Sequence, residues 1–266
     1  MMRIKEITDY LESVAPLSLQ EEYDNSGLLI GSADAEIASA LICLDITPSV
    51  VKEAAGRKCP LIISHHPLIF RGLKKITGAT YVEQAVIEAI RNDIAIYAIH
   101  TNLDNVLLYG VNGKIAQRIG LHDIKVLLPH PHVPSPDSGA GAVGVLSKTL
   151  SEGDFLAHLR QTMELKVIRH TPLLGNVVQK VAVCGGAGGF LLSEAIAAGA
   201  QFFVSADFKY HDFFNAEGRI VIADIGHFES ERFTMDLMAE LIQIKFPTFA
   251  AHLTETVTNP ITYYYG

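Results

Sequence analysis

The sequence predicts an α/β fold made of two similar units, each with a largely parallel or mixed sheet that helices cover. Three observations predict it. Short apolar runs alternate with amphipathic segments along the 266-residue chain, which is typical of strands connected by helices. One proline- and glycine-rich segment, 129–141, interrupts this alternation. The segments on either side of it repeat the order strand, turn, helix, strand and serine.

The composition narrows the class of protein. With 49% hydrophobic residues and no apolar run long enough to span a bilayer, the chain is typical of a soluble globular protein that does not enter a membrane. The amphipathic start differs from a signal peptide, and the three cysteines form no CxxC pair, so we expect a cytoplasmic location. A net charge of −8 argues against general nucleic-acid binding.

We place the first unit at residues 1–128. Its predicted helices are 4–14, 47–56, 81–92 and 111–119, and its predicted strands are 27–31, 38–46, 60–64 and 94–100. Thr47 followed by Pro48 is a helix start, since threonine caps and proline suits the first helical position. The loop after residue 70 is basic, and it is either a solvated loop or a rim that attracts anions.

We interpret 129–141 as a linker and place the second unit at 142–266. Its predicted strands are 142–146, 166–171, 219–223 and a final one near the terminus. Its predicted helices are 153–165 and 233–244, and a strand–turn–helix–strand run covers 180–205. The glycine-rich turn at 185–189 follows a strand and begins a helix. It is either a tight turn or a nest of backbone N–H groups for an anion.

Two adjacent histidines, His65 and His66, follow the apolar strand predicted at 60–64. Pro67 prevents the strand from continuing in the sheet interior. The imidazoles therefore follow the carboxyl end of a strand, where open α/β sheets bind ligands. Because neighbouring strand residues point to opposite faces, both serve one site only if the backbone turns at His66. The alternative is one core histidine and one solvated histidine.

The apparent repeat adds further candidates. A shift of 141 aligns the strand–turn–helix–strand segments of the two halves, and a shift of 127 places His100 on His227 and Asp104 on Glu231. Each half thus ends a strand with a histidine that an acid follows four residues later. Strand ends of two such units could face one shared cleft.

The candidate metal ligands are His65, His66, Asp104, His227 and Glu231. Three imidazoles and two carboxylates suit zinc, iron or manganese. Five ligands exceed what one tetrahedral ion with an open position needs, and they fit two ions about 3.5–4 Å apart that share a carboxylate. Either acid could be the shared ligand. His100 is either a further ligand or a residue that orients one.

Six motifs then suggest a family. YDNSGLLIG, SHHPLIF, AIHTNLDN, SADFKYHD, GHFESER and TNPITYY, in this order, resemble the Nif-three-like dinuclear-metal-centre proteins, many of which are called GTP cyclohydrolase I type 2 homologues. The resemblance covers nearly the whole chain, which lacks the long insertion of some relatives. It implies the Nif-three-like fold, two divalent ions on the five ligands named above, and a toroidal homohexamer. The family's Asp-x-Lys-x-x-His element matches in part, at Asp207, Lys209 and His211, which line the cleft or anchor it.

Residues and resemblance together favour a metal-dependent hydrolase. The family name implies a GTP cyclohydrolase-like reaction, in which water attacks C8 of the purine of a nucleotide substrate. His100 or His211 could transfer a proton, and Lys209, Asp207 or Arg71 could bind the substrate. The alternatives are a two-metal phosphoesterase and a metal-stabilised hexameric binding or scaffold protein without turnover.

Overall fold

A computed structural model of the chain describes residues 1–133 and 135–264. Contacts divide the chain into two compact units. The first unit contains Met1–Leu103 and Thr234–Gly266, and the second contains Asp104–Phe233.

Within the described residues the strands are β1 (Met2–Arg3), β2 (Gly27–Ile30), β3 (Glu36–Ile37), β4 (Ser39–Cys43), β5 (Leu61–Ser64), β6 (Ala95–Ala98), β7 (Leu121–Pro129), β8 (Gly139–Ser151), β9 (Arg169–His170), β10 (Val177–Val183), β11 (Phe202–Ser205), β12 (Val221–Asp224) and β13 (Ala250–Leu253). The helices are α1 (Ile4–Val14), α2 (Pro48–Gly56), α3 (Tyr81–Arg91), α4 (Thr101–Asp104), α5 (Val111–Ile119), α6 (Glu152–Thr162), α7 (Leu192–Ala197), α8 (His227–Glu231) and α9 (Thr234–Lys245). Short 3-10 turns cover Leu17–Leu19, Gly189–Leu191 and Tyr210–Ala216.

The first unit contains a mixed sheet in the order β13-β4-β5-β6-β2. Strands β13, β4, β5 and β6 are parallel, and β2 is antiparallel to β6. One face carries Leu41, Ile62 and Ile96, which pack in an apolar cluster with residues of α2 and α3. Alternate residues such as Ile42 and Ile63 face the other side. Helix α9 contacts β4 and β13, and α1 contacts α9.

The second unit contains a mixed sheet in the order β7-β8-β10-β11-β12-β9. Its centre, β10-β11-β12, is parallel, and the remaining pairs are antiparallel. Ala182, Phe203 and Ile222 share one apolar cluster with α7. On the other face, the Phe202 ring packs edge-on against Phe155 of α6, with centroids 4.7 Å apart. Both sheets confirm the predicted α/β class.

The division of the chain differs from the predicted halves 1–128 and 142–266, with their linker at 129–141. That segment joins two paired strands of a single sheet, since Pro129 pairs with Gly139 and Leu128 with Ala140. It is a hairpin connection, because proline and glycine favour turns as well as linkers. The end of the chain returns to the first unit, where β13 pairs with β4. Nothing local in residues 250–253 indicates this long-range pairing.

The predicted repeat has a structural counterpart. Each unit contains three consecutive parallel strands with an antiparallel strand beside the last one, in the orders β4-β5-β6-β2 and β10-β11-β12-β9. Ser64 pairs with Ala98, and Ser205 pairs with Asp224. The third strands therefore align with a shift of 126 (224 minus 98), one less than the predicted 127. The extra residue precedes His227, at a turn where Gly226 has a φ of 89°.

No helix in the described part of the chain combines the length and apolar character needed to cross a bilayer.

Glu53 of α2 holds the segment that follows β13. Its carboxylate accepts hydrogen bonds from Thr254 Oγ1 (2.6 Å), the Glu255 backbone N–H (2.9 Å) and Thr256 Oγ1 (2.7 Å). Burial raises the pKa of Glu53, but these bonds and one from Arg57 lower it further, to about 2 from 4.5. The carboxylate therefore stabilises the fold above about pH 4.5, and this contribution is lost as the pH falls towards 2.

We expect Glu53→Gln to lower the free energy of unfolding at neutral pH by about 1–3 kcal/mol, because an amide oxygen accepts these bonds more weakly than a carboxylate does. Urea unfolding followed at several pH values measures it. The difference from wild type should shrink as the pH falls below about 4.5, the range where Glu53 of the unfolded chain takes up its proton. Glu88→Gln on α3 is the matched control, since Glu88 pairs with Arg91 instead. A difference independent of pH would contradict this role of the carboxylate.

Candidate metal centre

The carboxyl ends of β4, β5 and β6 lie side by side. Cys43 pairs with Ser64, and Ser64 pairs with Ala98. Beyond β5 the backbone stays beside β4 but leaves the regular ladder, because two consecutive N–H groups bond to this one neighbour: the His65 N–H donates to the Cys43 carbonyl (3.2 Å) and the His66 N–H to the Leu44 carbonyl (2.9 Å). The residues that follow the three strands thus share one edge of the sheet, where ligands bind in open α/β folds.

Three imidazoles converge at this edge, those of His65, His66 and His100. Their ring centroids lie 5.0 Å (65–66), 5.3 Å (65–100) and 5.3 Å (66–100) apart. One ring nitrogen from each lies within 4.8 Å of the others. The two adjacent histidines therefore do face one site, and His100 belongs to the same group. We call these three residues the imidazole set.

Every Nδ1 of the imidazole set is hydrogen-bonded to an oxygen. The acceptors are the Ile99 carbonyl for His65 (2.9 Å), Asp45 Oδ1 for His66 (2.7 Å) and Asp24 Oδ1 for His100 (2.7 Å). Because these oxygens only accept, each Nδ1 carries a proton, and the neutral form of each ring therefore has its lone pair on Nε2. Metal-binding histidines show this arrangement, in which the second ring nitrogen fixes the tautomer and the orientation of the ring.

The carboxylates behind the imidazole set are themselves held. Asp45 Oδ2 accepts from Thr258 Oγ1 (2.8 Å). Asp24 Oδ2 accepts from the backbone N–H of Thr101 (3.0 Å) and from Ser26 Oγ (3.0 Å), and its side chain is buried. Burial raises the pKa of Asp24, but the hydrogen bond and charge of His100 and the bonds from its other partners outweigh burial and leave this pKa well below its usual range.

The second unit presents donors of its own on α8. His227 and Glu231 are four residues apart on this helix, and His227 Nε2 lies 3.1 Å from Glu231 Oε2. Two atoms that bind one ion at about 2.0–2.2 Å lie about 2.8–3.6 Å apart for angles from 90° to tetrahedral, so this pair has the spacing of two ligands. The Nδ1 of His227 is 2.8 Å from Asp207 Oδ2, the same arrangement as in the imidazole set.

Asp104 lies in the second unit near Glu231. One carboxylate oxygen of each lies within 4.8 Å of the other. Burial raises the pKa of the Cys184 thiol, and the charges of Asp104 and Glu231 raise it further. Cys184 is therefore a neutral thiol, and it belongs to the apolar cluster on one face of the second sheet. Together, His227, Glu231 and Asp104 form what we call the carboxylate set.

The glycine-rich turn at 185–189 packs against the carboxylate set. A Cβ on Gly186 would lie 2.4 Å from Glu231 Oε1 and 3.2 Å from His227 Cε1. Gly186 also has a φ of 60°, which glycine adopts without strain. The predicted tight turn therefore serves close approach of the backbone to these side chains.

Asp224 at the end of β12 connects the two segments that position His227. Its carboxylate accepts from the Phe208 N–H (3.0 Å) and from the Gly226 N–H (3.1 Å), next to Asp207 and His227 respectively. Asp224 is buried and also pairs with Arg169. It fixes the backbone on both sides of the contact between Asp207 and His227.

The remaining predicted site residues are exposed. Asp207 contacts the Nδ1 of His227, and its predicted part in substrate binding stays a prediction. Arg71, Lys209 and His211 are exposed. The ring of His211 packs on its neighbour Tyr210, with centroids 5.1 Å apart.

Sequence reasoning missed the oxygen partners of the histidines, above all Asp45. Asp45 follows β4 by two residues and occupies the same edge of the sheet as His66, so its position after a strand was a usable signal. Asp24 lies in the YDNSGLLIG motif, and no neighbouring residue in the sequence indicates that His100 is its partner. Its role depends on the antiparallel pairing of β2 with β6, which brings Gly27 opposite Ala98.

The chemistry of both sets suits divalent transition metals. Neutral imidazole nitrogens and carboxylate oxygens are ligands of zinc, iron and manganese. The imidazole set has its proton-bearing nitrogens turned to protein oxygens, and the carboxylate set pairs an imidazole with an acid at ligand spacing. The residues present therefore fit such ions.

Comparisons with known proteins identify the family of the chain. Residues 2–260 match the family model described as Duf34/NIF3 (NGG1p interacting factor 3). A protein of Clostridium perfringens called GTP cyclohydrolase 1 type 2 homolog is 33% identical over 233 residues, which cover 86% of this chain and 87% of that protein. The structure of a Bacillus cereus protein related to NIF3 has a TM-score of 0.88 at 25% identity, covering 99% of this chain and 100% of the other. A hypothetical protein of Staphylococcus aureus gives a TM-score of 0.89 at 27% identity, covering 99% of both chains.

We expect Gly186→Ala to weaken zinc binding by about 10- to 100-fold, because the added methyl group displaces Glu231 and the ring of His227. Calorimetric titration of chelator-treated protein with Zn²⁺ measures it. Gly175→Ala is the matched control: Gly175 also has a positive φ (78°), but its Cβ would meet no described atom within 4 Å. Equal weakening in both variants would attribute the effect to backbone strain and contradict the steric explanation.

Proposed function

Since the chain belongs to the Duf34/NIF3 (NGG1p interacting factor 3) family, we propose that it is a dinuclear-metal hydrolase. The observation that carries the proposal is the state of the histidines. Four imidazoles have Nδ1 bound to a protein oxygen, which is the orientation that metal ligands require.

We assign the ligands to His65, His66, Asp104, His227 and Glu231, for two divalent ions of zinc, iron or manganese. When bound, a pair of such ions supplies a water nucleophile near neutral pH and stabilises the charge that develops on the bond under attack. Glu231 is the better candidate for the shared ligand, since it is buried (3% exposed) and lies near both His227 and Asp104.

We assign proton transfer to His100 rather than His211. His100 lies within the imidazole set, and the Asp24 carboxylate holds its Nδ1, so a base and the group that orients it are both present. His211 is exposed and packs on Tyr210. If His100 instead binds an ion, Asp24 serves that ligand in the same way.

We propose a nucleotide as the substrate, with GTP as the first compound to assay. The support is the name of relatives such as the Clostridium perfringens protein, a GTP cyclohydrolase 1 type 2 homolog. Arg71 and Lys209 are exposed cations that could bind phosphates. We also propose the homohexamer of the family, which native mass spectrometry tests directly.

We expect Glu231→Gln to lower the metal content of protein purified without chelator and to abolish turnover, because an amide is a weaker ligand than a carboxylate. Elemental analysis per chain, together with assays of GTP and phosphoester hydrolysis, measures both. Glu229→Gln, on the same helix but outside the carboxylate set, should keep both properties. His65→Ala should behave like Glu231→Gln, whereas the exposed His122→Ala should not.

The outcomes separate the alternatives. Two ions per chain in wild type, fewer in both ligand variants and loss of hydrolysis support the proposal. The metal-stabilised scaffold is favoured if wild type has no turnover and if the loss of ions in the variants only lowers the melting temperature. Hydrolysis of phosphoesters but not of the purine ring favours the phosphoesterase. An Asp104→Asn protein that still holds two ions would remove Asp104 from the ligands.

A further inference from the structure

Two large aromatic side chains are exposed beside the imidazole set. Tyr23 is 64% exposed and Phe70 is 43% exposed. Their ring centroids lie 6.1 Å apart with a tilt of 39°. The Phe70 ring also meets the His100 ring edge-on, at 6.2 Å and 71°. We call Tyr23 and Phe70 the aromatic pair.

Polar bonds hold the aromatic pair in place. Asn25 Nδ2 donates to the carbonyl of Ile69 (2.6 Å), which ties the residues next to Tyr23 to the residue before Phe70. Asp24, between Tyr23 and Asn25, accepts from His100. The two rings are therefore positioned against the imidazole set by their neighbours' hydrogen bonds, while much of their surface faces solvent. Burying such rings is favourable, so their exposed surface suits a ligand.

The aromatic pair has room for a ring on its outside but not between its members. A planar ring needs about 3.5 Å to each neighbour, hence a gap of about 7 Å, and the two centroids are 6.1 Å apart. A planar ligand therefore stacks on the exposed surface of the pair. Nucleobases stack on protein aromatic rings in this way.

A basic loop follows Phe70 directly. Arg71, Lys74 and Lys75 are exposed, and no acidic residue occurs in the sequence from 71 to 82, although the chain carries a net charge of −8. The end of the loop is anchored, since the Thr77 and Ala79 N–H groups donate to Glu83 (2.7 and 3.1 Å). A local cluster of cations in an acidic protein attracts anions such as phosphates.

We propose that the aromatic pair is the base-binding subsite of a nucleotide and that Arg71, Lys74 and Lys75 bind its phosphates. The inference deepens the function proposed above and rests on it for the fate of the nucleotide. The base then stacks on Tyr23 and Phe70, and the phosphates lie at the loop. Because Phe70 also contacts His100, the base lies at the edge of the imidazole set.

Nucleotide binding tests the inference apart from turnover. The chain contains no tryptophan, so Phe70→Trp introduces a single fluorescent reporter in the subsite. We expect GTP and guanosine to quench it by stacking, and inorganic triphosphate to compete with GTP without quenching. Calorimetry should show that Phe70→Leu and Tyr23→Leu raise the Kd of both GTP and guanosine by about 5- to 100-fold.

Variants of the basic loop should affect the binding of GTP but not that of guanosine. Arg71→Ala, Lys74→Ala and Lys75→Ala should raise the Kd of GTP, steeply with salt, and leave that of guanosine unchanged. Tyr81→Leu and Arg91→Ala are the matched controls, since both side chains are exposed on α3. All variants should keep the metal content of wild type, which elemental analysis checks.

Failure of this inference is distinguishable from failure of the hydrolase. The proposed subsite is overturned if Phe70→Leu and Tyr23→Leu change the affinities for GTP and guanosine by less than about twofold, even if wild type hydrolyses GTP. A wild type that binds neither compound overturns it too. If these variants bind more weakly and wild type binds GTP without hydrolysing it, the subsite is supported and the proposal of GTP hydrolysis is rejected.

Discussion

In the imidazole set and in the carboxylate set alike, the orientation of each imidazole depends on one hydrogen bond, the bond that its Nδ1 donates. The acceptors come from different strand ends: Asp45 follows β4, the Ile99 carbonyl follows β6, and Asp207 follows β11. Strand pairing sets where each acceptor lies. A slip of one residue would turn the side chains of the slipped strand to the other face of its sheet and shift its backbone carbonyls along the neighbouring strand. The register of each sheet is therefore also a constraint on the chemistry of the set at its edge. The proton on Nδ1 makes Nε2 the only nitrogen with a lone pair to offer.

Local sequence signals predicted much of this arrangement. Helix α1 begins and ends where the apolar spacing indicated, strand β5 ends at the predicted residue, and Thr47 caps α2 as expected through a bond from the Val50 N–H. The histidine pair after β5 was recognisable because a buried strand that ends in polar residues indicates a ligand edge. These features depend on neighbouring residues, which a sequence displays directly. The oxygen partners were harder to predict, since Asp24 meets His100 across 76 positions of sequence.

The boundaries of the units depend on long-range pairing, and there sequence reasoning was wrong. Segment 129–141 had the composition of a linker, yet its flanking strands pair with each other. Strand β7 was missed because its residues alternate weakly between exposed and half-buried positions. The repeat was recognised. Its second shift, 127, aligns His100 with His227, but the third strands of the two units, β6 and β12, align with a shift of 126. A turn built on Gly226 absorbs that residue, and the conformation of a turn is not visible in a match between strands.

The first unit is discontinuous, and this has a consequence for biosynthesis. Strand β4 is complete early in translation, but one of its edges pairs only with β13, which contains residues 250–253. The continuous second unit, Asp104–Phe233, leaves the ribosome before that partner exists. Until then the nascent first unit presents an open strand edge, the kind of surface on which other chains add strands. The longer synthesis takes to reach β13, the longer this open edge of β4 is exposed to misassembly.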